Sequence, residues 1–281
     1  TQSRSSAASD VYKRQVDKLC RGDKVREVSF EVRAGEIFGI SGLIGAGRTE
    51  LLRLIYGADR ADSGGIALGQ PPQAVNIDSP KAAVRAGIAL ITEDRKGEGL
   101  LLTQSISANI ALGNLGAVSR AGVLDSEAEK ALAERQIQAM RIRSAGAQQV
   151  VGELSGGNQQ KVVIGRWLER DCQVLLFDEP TRGIDVGAKF DIYGLLAELA
   201  RQGKALVVVS SDLRELMLIC DRIAVLSAGR LIDTFARDHW SQDQLLAAAF
   251  AGYQKRDALL HDAAPRICLL YTSPSPRDQR G

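Results

Sequence analysis

Residues 36–52 read EIFGISGLIGAGRTELL. A short apolar run, Glu36 to Ile40, gives way to the glycine-rich stretch Gly42 to Gly47, and then to Leu51, Leu52, Leu54, Ile55 and Ala58 at helical spacing, the pattern of a strand, a loop and a helix. The spacing of Gly42, Gly45 and Gly47 around Ala46 is that of a phosphate-binding loop, in which bare backbone lets consecutive N–H groups wrap an anion at a helix N-terminus. Thr49, followed by Glu50, is placed to offer a hydroxyl to a magnesium ion. Arg48 stands where such a loop carries lysine, and its planar fork is bulkier than an ammonium. A tight turn with no ligand would have the same glycines, so a nucleotide site needs a second half elsewhere in the chain.

Outward from this stretch, strand-like and helix-like segments alternate, which predicts an α/β fold with a largely parallel sheet. Val25 to Val32 alternates as a half-exposed strand does. Ser79-Pro80 is a cap and first helical position, opening a helix that closes near Gly87 and leads into the strand Ile88 to Ile91. Residues 125–143 predict an exposed amphipathic helix capped by Asp125. Ser155 is expected to cap a helix to about Arg170. Further on come strand Val174 to Phe177, a helix over Ala188 to Arg201, strand Ala205 to Ser210, a helix over Asp212 to Cys220, and strand Ile223 to Leu226 turning at Gly229.

The second half of a site follows the Val174 strand. Its last residues are Asp178 and Glu179, an arrangement that holds magnesium through Asp178 and leaves Glu179 to polarise an attacking water. Upstream lies Leu154-Ser155-Gly156-Gly157-Asn158-Gln159-Gln160, a serine and two glycines opening a helix, where hydroxyl, bare backbone and positive helix end suit a phosphate.

On these residues the chain resembles the ATP-binding subunits of ABC transporters, whose signature motif is a Leu-Ser-Gly-Gly-Gln/Asn stretch. The resemblance covers about residues 16–260. Within the family, Glu93-Asp-Arg-Lys96, Thr181-Arg-Gly-Ile-Asp185-Val-Gly-Ala-Lys189 and Ser210-Ser-Asp212 are similar to the second of two tandem nucleotide-binding domains in bacterial importers of ribose, galactose and xylose. It implies a P-loop NTPase fold of the ABC type, with an antiparallel N-terminal β part and a helical subdomain at about 103–160. ATP and Mg2+ are the implied cofactors. ATP would lie on Gly42, Gly45, Ala46, Gly47, Arg48, Thr49, Glu50, Glu93 and Ser211, with Thr49 and Asp178 on the metal and Glu179 as the catalytic base. Ser155, Gly156, Gly157, Asn158 and Gln159 would meet the ATP of a partner domain across a dimer interface. Asp185 is either a contact across that interface or a plain helix cap; Glu93-Asp94-Arg95 is either part of the site or a solvated turn.

The family pattern is broken at Arg48, at Glu93, which stands at or next to the usual glutamine, at Ser211 in place of a switch histidine, and at Cys20 to Lys24, which offer no aromatic for adenine. The expectation is a site that binds Mg-ATP but turns it over slowly, with an intact signature serving the partner. Implied partners are an N-terminal nucleotide-binding domain of the same protein, membrane permease subunits and, indirectly, a periplasmic sugar-binding protein. Implied activity is ATP hydrolysis driving sugar transport, at the cytoplasmic face of the bacterial inner membrane as a peripheral protein.

Composition sets outer bounds. The 281 residues carry 36 Lys+Arg against 34 Asp+Glu, a formal charge of +2, which argues against nucleic acid as a partner. Four cysteines without close pairs, beside 2 histidines, argue against a zinc site, and the cysteines read as reduced thiols. Trp167 is expected in the core, and His239 and His261 at the surface. Residues 1–15 and 267–281 are expected to be non-native ends, the second after a linker from 261. Two other readings remain: a non-transport ABC ATPase, disfavoured by the near-neutral charge, and a regulatory nucleotide sensor, favoured by Arg48 and Ser211 and opposed by Glu179.

Overall fold

The computed structural model describes residues 13–263. Three strands come first, β1 (Lys13–Arg21), β2 (Val25–Arg33) and β3 (Ile37–Gly42), and then α1 (Arg48–Ile55), β4 (Ser63–Gly69), β5 (Gln73–Val75), α2 (Pro80–Arg85) and β6 (Ile88–Ile91). A mostly helical insertion follows, with α3 (Ile106–Ala111), the short hairpin β7 (Ser119–Arg120) and β8 (Val123–Leu124), α4 (Ser126–Ala139) and α5 (Gly156–Leu168). The chain returns through β9 (Val174–Asp178), α6 (Val186–Arg201), β10 (Ala205–Val209), α7 (Leu213–Ile219), β11 (Arg222–Ser227), β12 (Arg230–Ala236) and α8 (Gln242–Ala263).

Among the described residues the main sheet has the order β12-β11-β3-β10-β9-β6, with every pair parallel except β11–β12. A second, antiparallel sheet runs β2-β1-β4-β5. The apolar runs of the main strands carry no alternation because both faces are covered. On β9, Leu175 and Phe177 point into the core shared with the helical insertion and α6, while Val174 and Leu176 point into the core beneath the antiparallel sheet. Leu206 and Val208 against Ala205, Val207 and Val209 repeat the division on β10. Phe30 and Phe38 stack at 5.2 Å between the two sheets.

Most expected elements are present, and their shifts have physical reasons. The helix after Ser79 is capped as expected, Ser79 accepting from the Ala82 N–H. Asp125 accepts from the N–H groups of Glu127 and Ala128 at 3.1 and 3.0 Å, but α4 stops at Ala139, short of 143. Asp125→Ala is expected to cost about 1 kcal/mol, seen as a lower urea midpoint of the whole chain. Ser155 is the N-cap residue of α5 yet caps nothing: its hydroxyl instead accepts from Asn158 Nδ2 at 3.0 Å. At the ends, β1 starts at Lys13, inside the segment expected to be a non-native end, and α8 runs to Ala263, into the expected linker; residues 1–12 and 264–281 lie outside the described residues. Trp167 packs against the core and His239 is exposed. No described helix is long and apolar enough to cross a membrane.

Within the insertion, Asn109 is fully buried and fastens three segments. Its Oδ1 accepts from the Leu101 N–H and from Arg166 Nη2, and its Nδ2 donates to the carbonyls of Leu101 and Ser105. Arg166 Nε adds a bond to the Asn109 carbonyl at 2.7 Å, joining α3 to α5. The last turn of α5 is thereby tied to α3 and to the segment that precedes it.

Candidate functional site

Parallel strands place their carboxyl ends on one edge of a sheet, and the crevice there collects the loops that follow them. Here β3, β9 and β10 lie side by side, with Val209 in register with both Ile40 and Asp178. The loops after these strands surround a cleft of about 550 Å3 lined by Gly45, Gly47, Arg48, Thr49, Glu50, Glu93, Glu179, Ser211 and Glu215, among others. Sequence-distant residues expected in one site are therefore brought together by strand order.

The glycine loop begins at the end of β3. Ala46 donates its N–H to the Leu43 carbonyl, and Gly47 is the N-cap of α1 with φ +100. A Cβ at Gly47 would lie 2.1 Å from the Lys24 carbonyl oxygen, so only glycine lets the loop rest on the β1–β2 turn. Gly45 is exposed with open space around it, Ala46 is buried beneath the loop, and Gly42 approaches the Leu226 carbonyl of β11. Glu50 faces Lys24 at 3.8 Å.

Arg48 does not reach outward as a phosphate-loop lysine would. Its side chain is 10% exposed, Nη1 donates to the Ser210 carbonyl at 2.6 Å, and Nη2 stands 3.6 Å from Glu179 Oε1. The other oxygen of Glu179 accepts from the Ser211 hydroxyl at 3.2 Å. Burial pushes the Glu179 carboxyl up, opposed by the Arg48 charge and the Ser211 hydrogen bonds. Both oxygens of the expected base are thus engaged by Arg48 and Ser211, two of the positions at which the chain departs from the family pattern.

Beside it, Asp178 is 3% exposed and its carboxyl is pushed up to about 6 by burial, against a lowering hydrogen bond from Thr49. Its Oδ1 is buried without a hydrogen-bond partner. An unpartnered carboxylate oxygen next to a threonine hydroxyl is an all-oxygen donor set, which fits the hard cation Mg2+.

Other expected contacts fall differently. Glu93 lines the cleft but its carboxylate is paired with the Arg182 guanidinium. In the signature segment, Ser155 is exposed, and Asn158 bridges the Ser155 hydroxyl and the Arg143 N–H. The two glycines have packing reasons of their own: a Cβ at Gly157 would lie 2.6 Å from Ala188 Cβ, and one at Gly156 would lie 2.9 Å from Arg95 Nη2. Gln159, expected against the partner's ATP, instead turns inward, 5% exposed, and donates to the carbonyls of Val151 and Leu154. Its amide satisfies carbonyls that precede the helix, which is why it leaves the surface. Asp185 caps α6 through the Ala188 N–H at 2.9 Å and stays exposed, so either role remains open to it.

Sequence reasoning missed Glu215. It is 7% exposed in the wall of the cleft and accepts from Lys189 Nζ at 2.6 Å, from the Thr181 hydroxyl at 2.6 Å and from the Ser210 hydroxyl at 3.2 Å. Burial raises its carboxyl, but the bonds from Lys189, Thr181 and Tyr193 outweigh that and hold it low. The one sequence signal was an acid beside Leu216 on the apolar side of a short helix.

Comparison with known proteins agrees with this geometry. The profile of the ABC transporter family matches residues 25–182. The chain is 49% identical over 235 residues to the ribose import ATP-binding protein RbsA 3 of Rubrobacter xylanophilus, covering 84% of this chain and 47% of that protein. With the arabinose import ATP-binding protein AraG of Rhizobium meliloti it shares 48% identity over 235 residues, 83% of this chain and 46% of that one. The chain thus spans about half the length of these relatives. A nucleotide-free ATP-binding cassette from an ABC transporter superposes with a TM-score of 0.69 at 19% identity, over 94% of this chain and 100% of its own. A dimeric cassette in a post-hydrolysis state with ADP and Pi gives 0.66 at 20% identity, over 81% and 100%. The fold is that of a P-loop ATP-binding cassette, and with a family profile across more than half its length the chain belongs to the ABC transporter family.

Proposed function

We propose that the chain is the second nucleotide-binding domain of a tandem ATP-binding subunit that powers monosaccharide import, acting as a peripheral component at the cytoplasmic face of the bacterial inner membrane. Relatives named for ribose and arabinose import support the substrate class, and a match to about half of each supports a single domain of a tandem protein. Permease subunits, an N-terminal nucleotide-binding domain and, through the permease, a sugar-binding protein are its partners on this reading.

The observation that carries the mechanism is Glu179 held on both sides. Gly45 to Thr49 bind the phosphates through backbone N–H groups at the start of α1. Thr49 and Asp178 hold Mg2+, which when bound screens the phosphate charge. Glu179 would orient a water, but the nearby Arg48 charge and the Ser211 hydrogen bond hold its carboxylate away from that task. Ser211, with one carbon before its hydroxyl, bonds to Glu179 where a longer imidazole would extend toward the γ-phosphate. The domain's own site therefore binds Mg-ATP and turns it over slowly. Its exposed Ser155, with the α5 N-terminus behind it, completes the site of the partner domain.

Mg-ATP binding and turnover by the chain, alone and with the N-terminal domain, in wild type and Glu179→Gln, test this. Binding with little turnover alone, and turnover restored by the partner domain even in Glu179→Gln, are expected. Brisk turnover by the isolated chain that Glu179→Gln removes would show that Arg48 and Ser211 are tolerated and that the site is complete.

A further inference from the structure

Arg95 lies outside the set of expected nucleotide contacts and, among the described residues, has no anionic partner. It opens a single π-helical turn, Arg95–Gly99, and the residue is 9% exposed. Nη1 donates to the Arg182 carbonyl at 2.8 Å and Nη2 to the Gly183 carbonyl at 3.2 Å, while Nε is buried without a partner. Burial lowers its pKa, with no neighbouring charge acting against it. A buried cation answered only by carbonyl dipoles is costly. What a guanidinium offers in return is a rigid fork that holds two successive carbonyls from one side chain.

Three segments meet at this fork. The first is its own turn, stiffened by Asp94 Oδ1 accepting from the Gly97 N–H at 2.9 Å and by Thr92 donating to Glu98 at 3.0 Å. The second is Arg182-Gly183, three and four residues past Glu179, tied a second time in the opposite sense because the Arg182 side chain pairs with Glu93. The third is the first turn of α5, where Gly156 approaches so closely that a Cβ would fall 2.9 Å from Nη2 and 3.2 Å from the Gly183 carbonyl oxygen. One side chain therefore links the turn after β6, the segment leaving the base Glu179, and the segment that presents Ser155.

We infer that Arg95 is a positioning residue that makes these three segments move as one body, so that displacement of the 93–99 turn is transmitted to both half-sites the domain contributes to. That the displacement comes from a permease rests on the importer reading above; the mechanical linkage does not. Uncoupled segments would open independently, and local opening is read directly by amide exchange.

Hydrogen exchange of the chain, followed by mass spectrometry, tests the linkage. Arg95→Gln is expected to speed exchange about tenfold in 93–99, 155–159 and 181–185 together, since a charged hydrogen-bonding group is removed. Residues 43–49 and the urea midpoint stay near wild type, and Arg95→Lys, which reaches one carbonyl instead of two, recovers part of the protection. A change confined to 93–99, or one shared with 43–49, overturns the proposal. Should Arg95→Gln fail to fold, Glu93→Gln removes the opposing tie at a half-exposed position and is expected to loosen the same three segments about threefold; no change there overturns it equally. In the assembled importer in vesicles, Arg95→Gln is expected to leave the ATP Kd unchanged while the ratio of turnover with and without sugar-loaded binding protein falls toward one. An unchanged ratio overturns the role in transmission. A wild-type assembly that ignores the loaded binding protein would overturn the importer reading instead, and the exchange pattern of the chain alone would still decide on the linkage.

Discussion

Gly47→Ala is expected to abolish Mg-ATP binding and to lower the unfolding free energy by about 3 kcal/mol or more. Two independent costs add. The φ of +100 is a left-handed conformation that an L side chain adopts only with strain of about 1–2 kcal/mol. The added methyl would also sit 2.1 Å from the Lys24 carbonyl oxygen, and backbone cannot swing aside as a side chain can. Nor can the turn recede. Lys24 N–H bonds to the Arg21 carbonyl, Arg26 N–H to the Gly229 carbonyl at 2.7 Å, and Gly229 N–H to the Ala46 carbonyl at 3.1 Å, closing a ring of main chain around the loop. The loop itself must give way, and with it the N–H groups at the start of α1. Gly45→Ala is the control, since Gly45 has φ +81 but nothing within 4 Å; it should show the conformational strain alone and retain measurable binding. Calorimetric titration with Mg-ATP and urea unfolding of both variants check this. If Gly47→Ala titrates like Gly45→Ala, the close packing of loop on turn is not what shapes the site.

The second large effect is expected from Lys189→Met. Among the described residues it removes the one cation bonded to Glu215 and leaves a nearly buried carboxylate on the hydroxyls of Thr181, Ser210 and Tyr193. Breaking a fully buried pair costs about 3–5 kcal/mol, and because Lys189 is 29% exposed a loss of about 2 kcal/mol is expected at pH 7. The sign with pH follows from the depressed carboxyl of Glu215: its stabilisation is present above the unfolded value of about 4.3 and disappears as pH falls through the folded value. The gap between wild type and Lys189→Met should therefore be widest near neutrality and close as the solution is acidified below that value. Lys189→Met combined with Glu215→Gln should recover stability at pH 7, because a neutral amide needs no counter-charge. Urea unfolding at neutral and acid pH measures both. A deficit that persists in acid, or a double variant as unstable as the single, would mean that Lys189 acts through its aliphatic stem.

The cleft was largely legible in the sequence where its chemistry is written in contiguous residues. Gly42 to Thr49, Asp178-Glu179 and Ser210-Ser211 each announce a loop at a strand end, and a parallel sheet has one edge at which such loops can meet. The tie of Arg48 to Glu179, 3.6 Å apart across two loops, was not legible, because neither side chain declares its rotamer. The same holds for Lys189 with Glu215 and Arg95 with Gly183, pairs joined only by folding. Among the elements, β1, β4 and β5 escaped notice for a local reason. The register of β1 slips between Val16 and Leu19 and again between Leu19 and Arg21, which breaks the alternation, and β4 begins Ser63-Gly64-Gly65, where there is no pattern to read. The Ser155 cap failed because Asn158, one turn along, competes for its hydroxyl.

The positions of Asp178, Glu179 and Ser210 are set by main-chain bonds: Val209 is in register with Asp178, and the Glu179 N–H donates to the Val209 carbonyl at 3.0 Å. None of those bonds depends on a side chain. If the site is as slow as proposed, exchange of Arg48 and Ser211 would retire or revive its chemistry while the backbone frame around it stays unchanged. On the proposed reading of a tandem subunit, division of labour between two cassettes would need no new architecture, only exchange of side chains around an unchanged backbone.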